Sequence, residues 1–368
     1  MAETALEFYG NPSSPYPVGK AAKAALEEAR SRAAQVLGCD AHQLAFTSGG
    51  TEANAIVLFS QLLKREPGTL LISGLEHPSV AEPAALLRLK GWTVKTLETA
   101  PDGIVDPRTV SAALERNPDT RLLAVMGVSN ETGAIQPLFE ISELLREFQG
   151  KRSSRRAGYV TLHSDLVQAA GKIPVNLASL DVDTASFSAH KLRGPRGVGL
   201  LYHRNSAFEA LARGGGQEHG VRPGTENVAG AMAMARALEL HGHPHSTISE
   251  NGRWLLEQLE HFPNTTIIPK ERKRLSQNYV PGIIAVSFPP IPGEVLARVL
   301  AEAGYAVSTG SACSSNKKGK LSKTMMAMKV PKNIATAMIR ISIGELTSRE
   351  ELEGFLEALK SALRTLDI

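Results

Sequence analysis

The sequence predicts an α/β fold: a large domain built on a mostly parallel seven-stranded sheet, followed by a smaller α+β C-terminal domain. Three observations carry that expectation. Seven short strand-like runs, at 43–47, 68–73, 93–97, 122–128, 159–163, 184–187 and 197–202, recur with helical patterns mostly between them. Alternation of this kind builds parallel sheets covered by helices on both faces. The chain has 368 residues, beyond the size at which a single core keeps growing. From about residue 251 the alternation gives way to an amphipathic stretch at 251–259, a strand-like run at 282–288, a helix at 293–302 and a terminal helix at 348–363.

In chain order, residues 1–15 form an N-terminal segment, 16–250 the large domain and 251–368 the small one. Helical periodicity over 19–37 leads into the first run, a glycine turn, and a second amphipathic segment at 52–63. The remaining six runs follow; every candidate functional residue up to His190 falls just after one of the seven runs, and in open α/β sheets ligands bind beyond the carboxyl ends of the strands.

Composition narrows the function classes. Hydrophobic residues make up 42% and charged residues 21%, ordinary for a soluble globular enzyme. The 41 basic and 37 acidic residues are interspersed and net charge is only +4, which argues against nucleic acid as a partner. The basic run at 151–156 reads as a solvated loop. No apolar run reaches the ~18 residues a membrane span needs. Cys39 and Cys313 are the only cysteines, too few for a disulfide framework, so a cytoplasmic setting is expected.

Lys191 is the most telling residue. It follows Ser188 and His190 and precedes a turn rich in glycine, Gly194-Pro195-Arg196-Gly197. A lysine at such a bend is expected to be partly desolvated, which lowers its pKa and suits it to Schiff-base chemistry; the alternative is a surface lysine beside a tight turn. In FTSGGTEAN, 46–54, Gly49 and Gly50 turn the chain and Thr51 opens a helix whose amides and dipole suit a phosphate, although ordinary helix caps look similar. In Leu75-Glu76-His77-Pro78-Ser79, after the 68–73 run, His77 reads as a group to stack on a flat ring or move protons, or as polar surface. Asp165 is delivered to a sheet edge, where a buried carboxylate needs a positive partner; Gln168 follows three residues later, and the other reading of Asp165 is a helix cap. Asn130 is read as ending a buried strand before Gly133, bonding a ligand or only the turn.

Together, GNPSS at 10–14, FTSGGTEAN, SNETG at 129–133, HSDLVQAAGK at 163–172, SAHKLRGPRGVG at 188–199, GGGQEHGVRPGTEN at 214–227, GSACSS at 310–315 and RIS at 340–342 resemble the cysteine desulfurase family of fold type I pyridoxal phosphate (PLP) enzymes. The resemblance runs from Gly10 to the C-terminus. It implies that PLP is held by Lys191 as the Schiff-base lysine, by Asp165 at the ring nitrogen, by Gln168 at the ring hydroxyl and by His77 over the ring. Gly50, Thr51, Ser188 and His190 would hold the phosphate, with Thr225 reaching in from the second subunit of a homodimer. Asn130 would contact cofactor or substrate, and Arg340 the substrate carboxylate. Cys313, on a small and polar stretch read as an exposed mobile loop, would take sulfur from L-cysteine as a persulfide and pass it to an iron-sulfur scaffold or a tRNA thiolation protein. Cys39 lies outside every motif and reads as structural.

Three departures from the family stand out. The family's opening strand and Asn-Ala-Ala-Thr-like loop are not among the nine residues ahead of Gly10, leaving a start upstream of Met1 or a trimmed form with impaired folding or activity. Tyr16 stands where the family has a histidine. The stretch after Cys313, 316–333, is basic and methionine-rich where the family is acidic. Two rival functions stay open on sequence: a selenocysteine lyase or related PLP lyase, and a catalytically impaired scaffold.

Overall fold

The computed structural model describes residues 1–151, 158–205, 208–309 and 321–366. Clustering of contacts divides them into two compact units. The first comprises Met1–Leu97, Pro107–Gly127 and Pro137–Pro244; the second comprises Glu98–Asp106, Val128–Gln136 and His245–Ile368. The division thus falls at residue 244 rather than 250, and two short excursions after strands of the first unit belong to the second.

The first unit holds a seven-stranded sheet: β1 (Leu44–Thr47), β2 (Thr69–Ser73), β3 (Thr93–Leu97), β4 (Thr120–Ala124), β5 (Thr161–Asp165), β6 (Thr184–Ser188) and β7 (Gly199–His203), in the order β1-β7-β6-β5-β4-β2-β3. All neighbours pair in parallel except those of β7, which runs antiparallel to both β6 and β1. Its helices are α1 (Ala2–Glu7), α2 (Pro17–Leu37), α3 (Gly50–Ser60), α4 (Pro78–Arg88), α5 (Pro107–Arg116), α6 (Leu138–Lys151), α7 (Leu177–Leu180) and α8 (Val228–His241). Strands β2, β6 and β7 are buried at every residue, as expected when helices cover both faces, whereas β3 at the edge buries only Val94 and Leu97. Leu70, Ile72, Leu122, Ala124 and Leu201 pack against Ala53, Val57 and Leu58 of α3 and Val80, Ala84 and Leu87 of α4. Each of these buried leucine or isoleucine side chains contributes roughly 1.5–3 kcal/mol by leaving water. Helix α2 packs on α8, buries the small residues Ala22, Ala25, Ala29 and Ala33, and ends on Gly38 at φ 67°, a left-handed cap that suits glycine.

Two strands start or stop elsewhere than the sequence implied. The run at 122–128 forms strand only to Ala124, because the excursion that begins at Val128 leaves the sheet. The run at 159–163 is displaced to Thr161–Asp165: Tyr159 is exposed, with its hydroxyl donating to Asp183 Oδ1 at 2.6 Å, so Asp165 is itself the last strand residue.

The second unit is a four-stranded antiparallel sheet, β10-β11-β9-β8, made of β8 (Thr266–Ile268), β9 (Ile283–Ser287), β10 (Ser308–Thr309) and β11 (Met338–Ser342). Helices α9 (Ser246–Glu260), α10 (Gly293–Glu302), α11 (Lys323–Ala327), α12 (Lys332–Thr336) and α13 (Arg349–Thr365) accompany it. One face of the sheet, Ile284, Val286, Ile339 and Ile341, packs with Leu255 and Leu259, Leu296 and Leu300, and Phe355 and Leu359 from α9, α10 and α13. The segment Val128–Gln136 closes as a hairpin through a Val128–Ile135 bridge and joins this unit through Ala134 opposite Tyr279. Arg272, buried to 3% exposure, fixes it there by donating to the carbonyls of Thr132 and Val280, each at 2.9 Å, and of Ile283. No helix among the described residues is long and apolar enough to cross a membrane.

Candidate active site

In the first unit, the chemistry-bearing residues gather at the carboxyl ends of β1, β2, β5 and β6. Asp165 closes β5 and is 5% exposed. Its Oδ1 accepts from Val167 N at 3.0 Å and its Oδ2 from Asn54 Nδ2 at 2.8 Å. Asn54, on the buried face of α3, donates its other amide hydrogen to Ser79 Oγ at 2.8 Å and accepts at Oδ1 from His163 Nε2 at 2.9 Å. Burial pushes His163 down to about 4, so the ring is neutral, with the proton on Nε2 and Nδ1 facing the Thr184 hydroxyl at 3.0 Å. Every hydrogen-bonding atom of the Asn54 amide is therefore committed, and its orientation follows from the network rather than from choice.

His77 is not a loose loop histidine: it caps α4, its Nδ1 accepting from Ser79 N at 3.1 Å and lying 2.7 Å from Ser79 Oγ. With Nδ1 engaged as acceptor, the neutral ring carries its proton on Nε2. Burial lowers the pKa of His77; the Asp165 carboxylate opposes that shift and the Lys191 ammonium adds to it. Burial also raises the Asp165 carboxyl, against the pull of Val167 N–H, Asn54 and His77.

Lys191 sits on a 3-10 turn, Ala189–Leu192, directly after β6. The turn buries Ala189 and Leu192, while His190 and Lys191 are exposed as residues. The Lys191 charge is felt by His77, by His190 and by Lys172, whose amine is pushed down to about 8, mainly by burial. Ser188 Oγ lies 2.7 Å from His190 Nδ1 and beside the Gly49-Gly50 turn, where a Cβ on Gly50 would come within 2.5 Å of Val167 Cγ2. A Cβ on Gly199 would meet Gly49 Cα at 2.6 Å and Phe187 O at 2.4 Å. This close backbone approach sets Gly49 and the buried Gly50, at the start of α3, against Ser188, with Thr51 exposed beside them. Gln168 is half-buried on the turn after β5, and Thr225 is exposed on the loop before α8. That loop is held by the buried pair Arg30–Glu218, 2.6 Å apart, in which Glu218 also accepts from Phe46 N at 2.8 Å.

The second unit holds the other assigned residues. Asn130 lies in the Val128–Ile135 hairpin, not at the end of a strand, and is half-buried. Arg340, on β11, donates from Nη1 to Asn130 O at 2.8 Å and from Nη2 to Ser308 Oγ at 3.0 Å, while its buried Nε has no hydrogen-bond partner among the described residues. Cys313 lies outside the described residues, as does the basic run except Lys151. Cys39 follows the cap of α2, and burial pushes its thiol up to about 12.

Sequence reasoning missed Asn54, Ser79, His163 and Glu76. Asn54, between Ala53 and the apolar run 55–59, carried a signal; Glu76 and Ser79, in the polar stretch Glu76-His77-Pro78-Ser79, carried none; all four prove to be buried.

A buried acid at one strand end, a helix N-terminus with hydroxyl and imidazole neighbours, and a lysine on the adjoining turn fit the three parts of pyridoxal phosphate: its ring nitrogen, phosphate and aldehyde. The sheet and this site define a fold type I PLP-dependent transferase. The chain matches the model of the class-V aminotransferase family over residues 1–355. It is 37% identical to a NifS/IcsS protein homolog of Lactobacillus delbrueckii subsp. bulgaricus, over 97% of this chain and 93% of that one. With a cysteine desulfurase IscS of Dictyoglomus turgidum it shares 36% identity, over 98% and 89%. It is similar to the solved structure of a NifS-like protein, with a TM-score of 0.85 and 32% identity over 98% of this chain and 93% of that one. The chain belongs to the class-V aminotransferase family, in its cysteine desulfurase and NifS-like branch.

Proposed function

We propose that this protein is a PLP-dependent cysteine desulfurase that converts L-cysteine to L-alanine and leaves the sulfur as a persulfide on Cys313. The observation that carries the reading is the Asn54-clamped Asp165 beside the Lys191 turn, within a chain of this family. Lys191 is the amine that would hold the cofactor, Asp165 would face its ring nitrogen, Gln168 its ring hydroxyl, and Gly50, Thr51, Ser188 and His190 its phosphate. Bound PLP supplies an electron sink for the pair released at the substrate alpha carbon.

The chain's own groups do the rest. Arg340 binds the substrate carboxylate in a charge-assisted pair, with Asn130 beside it. Lys191 carries the alpha proton, and His77, with Nδ1 committed to Ser79, delivers its proton from Nε2. The Cys313 thiolate attacks the substrate sulfur: an S–S bond forms, the C–S bond breaks, and its electron pair stays on carbon and is protonated. One thiol and one cysteine thus give one persulfide and one alanine, with no external oxidant. Transfer of that sulfur to an iron-sulfur scaffold or another acceptor protein, and a homodimer in which Thr225 serves the partner's phosphate site, complete the proposal.

A single turnover tests it. The holoenzyme mixed with L-cysteine is expected to give one equivalent of alanine and one added sulfur on Cys313 by mass spectrometry, and Cys313→Ala neither. Bound cofactor without alanine formation would overturn the reading.

A further inference from the structure

We infer that Arg30 and Glu218 are positioning residues for the phosphate end of the cofactor site; the inference rests on the assignment of the phosphate to Gly50, Thr51 and Ser188 and deepens it. Strand β1 is the last of its sheet and pairs with β7 alone. Alternate residues therefore turn their backbone groups toward an edge with no strand beside it. At that edge Arg30 Nη1 donates to Leu44 O at 2.8 Å, and Glu218 Oε2 accepts from Phe46 N at 2.8 Å. A parallel neighbour would bond the same two groups, donating to the carbonyl of one residue and accepting from the amide two residues on. The two side chains are joined through Nη1–Oε2 at 2.6 Å and Nη2–Oε1 at 3.2 Å, and each is 2% exposed. A buried ion pair stands where another strand would.

The pair joins two parts of the phosphate site. Phe46 runs directly into the turn at 47–50, and Glu218 opens a 3-10 turn, Glu218–Gly220, on the loop that carries Arg222 and Thr225. Glu218 and His219 both hold positive φ, 49° and 56°, a backbone state that costs a non-glycine residue energy and persists where its surroundings hold it. The grip of Arg30 and Phe46 N on the Glu218 carboxylate supplies that hold. Farther along the loop, Arg222 Nε donates to Glu52 Oε1 at 3.2 Å, and the other Glu52 oxygen accepts from Ser48 N. Between these ties lies a cavity of about 170 Å³ lined by Phe46, Ser48, Arg222 and Thr225. Packing does not set the separation of loop and turn there; the charged ties do.

Neither Arg30 nor Glu218 touches the cofactor in this reading; both act through the turn and the loop. Asp165, His77 and Lys191 are placed by other strands, at the ends of β5, β2 and β6. Loosening the pair therefore disturbs the phosphate end and leaves the ring end in place. A ligand without the phosphate is indifferent to the pair, and one that carries it is not.

The test titrates PLP, and separately pyridoxal, which lacks the phosphate, into apoenzyme of the wild type, Glu218→Ala, Glu218→Asp and Glu218→Gln, read by cofactor absorbance. Glu218→Ala leaves the Arg30 guanidinium a partner in Glu27, 3.2 Å from its Nε, so that charge is not buried alone. Glu218→Asp shortens the reach to Phe46 N by one methylene and carries the same expectation should Glu218→Ala not fold. In both, PLP affinity is expected to fall about tenfold, with pyridoxal affinity unaltered and the Phe46 amide exchanging faster with deuterium. Glu218→Gln keeps an acceptor for Phe46 N and is expected to keep most of the PLP affinity. Equal losses for the two ligands, an unaltered PLP affinity, or a Glu218→Gln no better than Glu218→Ala would each overturn the inference. A wild type that binds pyridoxal as tightly as PLP defeats the phosphate assignment and the inference with it; that outcome is read in the wild type, the others only in the variants.

Discussion

Glu76, next to the capping His77, shows how a single buried carboxyl is made to titrate near neutrality. Its Oε1 accepts from Ser73 Oγ at 2.6 Å and from Met126 N at 2.7 Å, while Oε2 is buried with no hydrogen-bond partner among the described residues. Burial, opposed by Ser73 and reinforced by the Asp165 charge, raises its pKa from 4.5 to about 7. A carboxyl whose folded pKa lies above its unfolded one contributes stability that is fully present below about pH 4.5 and is lost as pH rises through 7, because only the unfolded chain then accommodates the charge freely. The full difference is worth up to about 3 kcal/mol. Urea unfolding of the wild type and Glu76→Gln at pH 5 and pH 8 is expected to show the wild type losing more stability across that interval, by about that amount. Equal pH dependence in the two proteins would contradict this account. The residue scale is also where the sequence was least legible. Asn54 and Glu76 were visible as letters in motifs, but their partners are 111 and 50 residues away, and no local pattern encodes a contact at that separation.

At the scale of elements, the proposed phosphate cradle rests on two close approaches of different kinds. The hypothetical Cβ of Gly50 meets a side-chain methyl, that of Gly199 meets backbone. Gly50→Ala is therefore expected to weaken cofactor retention and to be partly rescued by Val167→Ala, which removes the clashing methyl. Gly199→Ala is expected to cost about 1–3 kcal/mol with no rescue from trimming any side chain, since the Gly49-Gly50 turn itself must move. Fluorimetric titration of PLP into the apoenzymes, with thermal melting alongside, distinguishes the two cases; rescue of neither or of both would refute the distinction. Elements with strong periodicity were readable in advance: α10 lies at 293–302 as expected, and β3 at 93–97. The shorter β8, β10 and β11 went unread as strands. The three and two residues of β8 and β10 carry too little pattern to stand out, β11 buries residues on both faces with no alternation to mark it, and the three are strands through pairing: β9 with β8 and β11, and β11 with β10.

For the molecule as a whole, the exposed Thr225 and the Lys191 turn make the proposed homodimer testable by complementation. Lys191→Ala and Thr225→Ala, each nearly inactive with L-cysteine, are expected to regain up to about half of wild-type activity per mixed dimer when unfolded and refolded together. One site in each mixed dimer then receives both intact residues. No recovery would place Thr225 in its own subunit's site or outside the chemistry. The two units also explain why the domain boundary was only approximately legible: the chain enters the second unit twice, at Glu98–Asp106 and Val128–Gln136, before it finally stays there. Such brief excursions leave no shift in composition to mark them.

The antiparallel β7 gives the site an asymmetry of origin. Parallel neighbours are joined through crossovers, but β6 returns directly through the Lys191 turn, with Ser188 opposite Gly199. The address of the lysine is thus written in about twenty consecutive residues, 184–203. That of the aspartate needs an asparagine 111 positions earlier, itself oriented by His163 on the aspartate's own strand. Moved to a different sheet, the hairpin would bring its lysine with it and leave the acid behind.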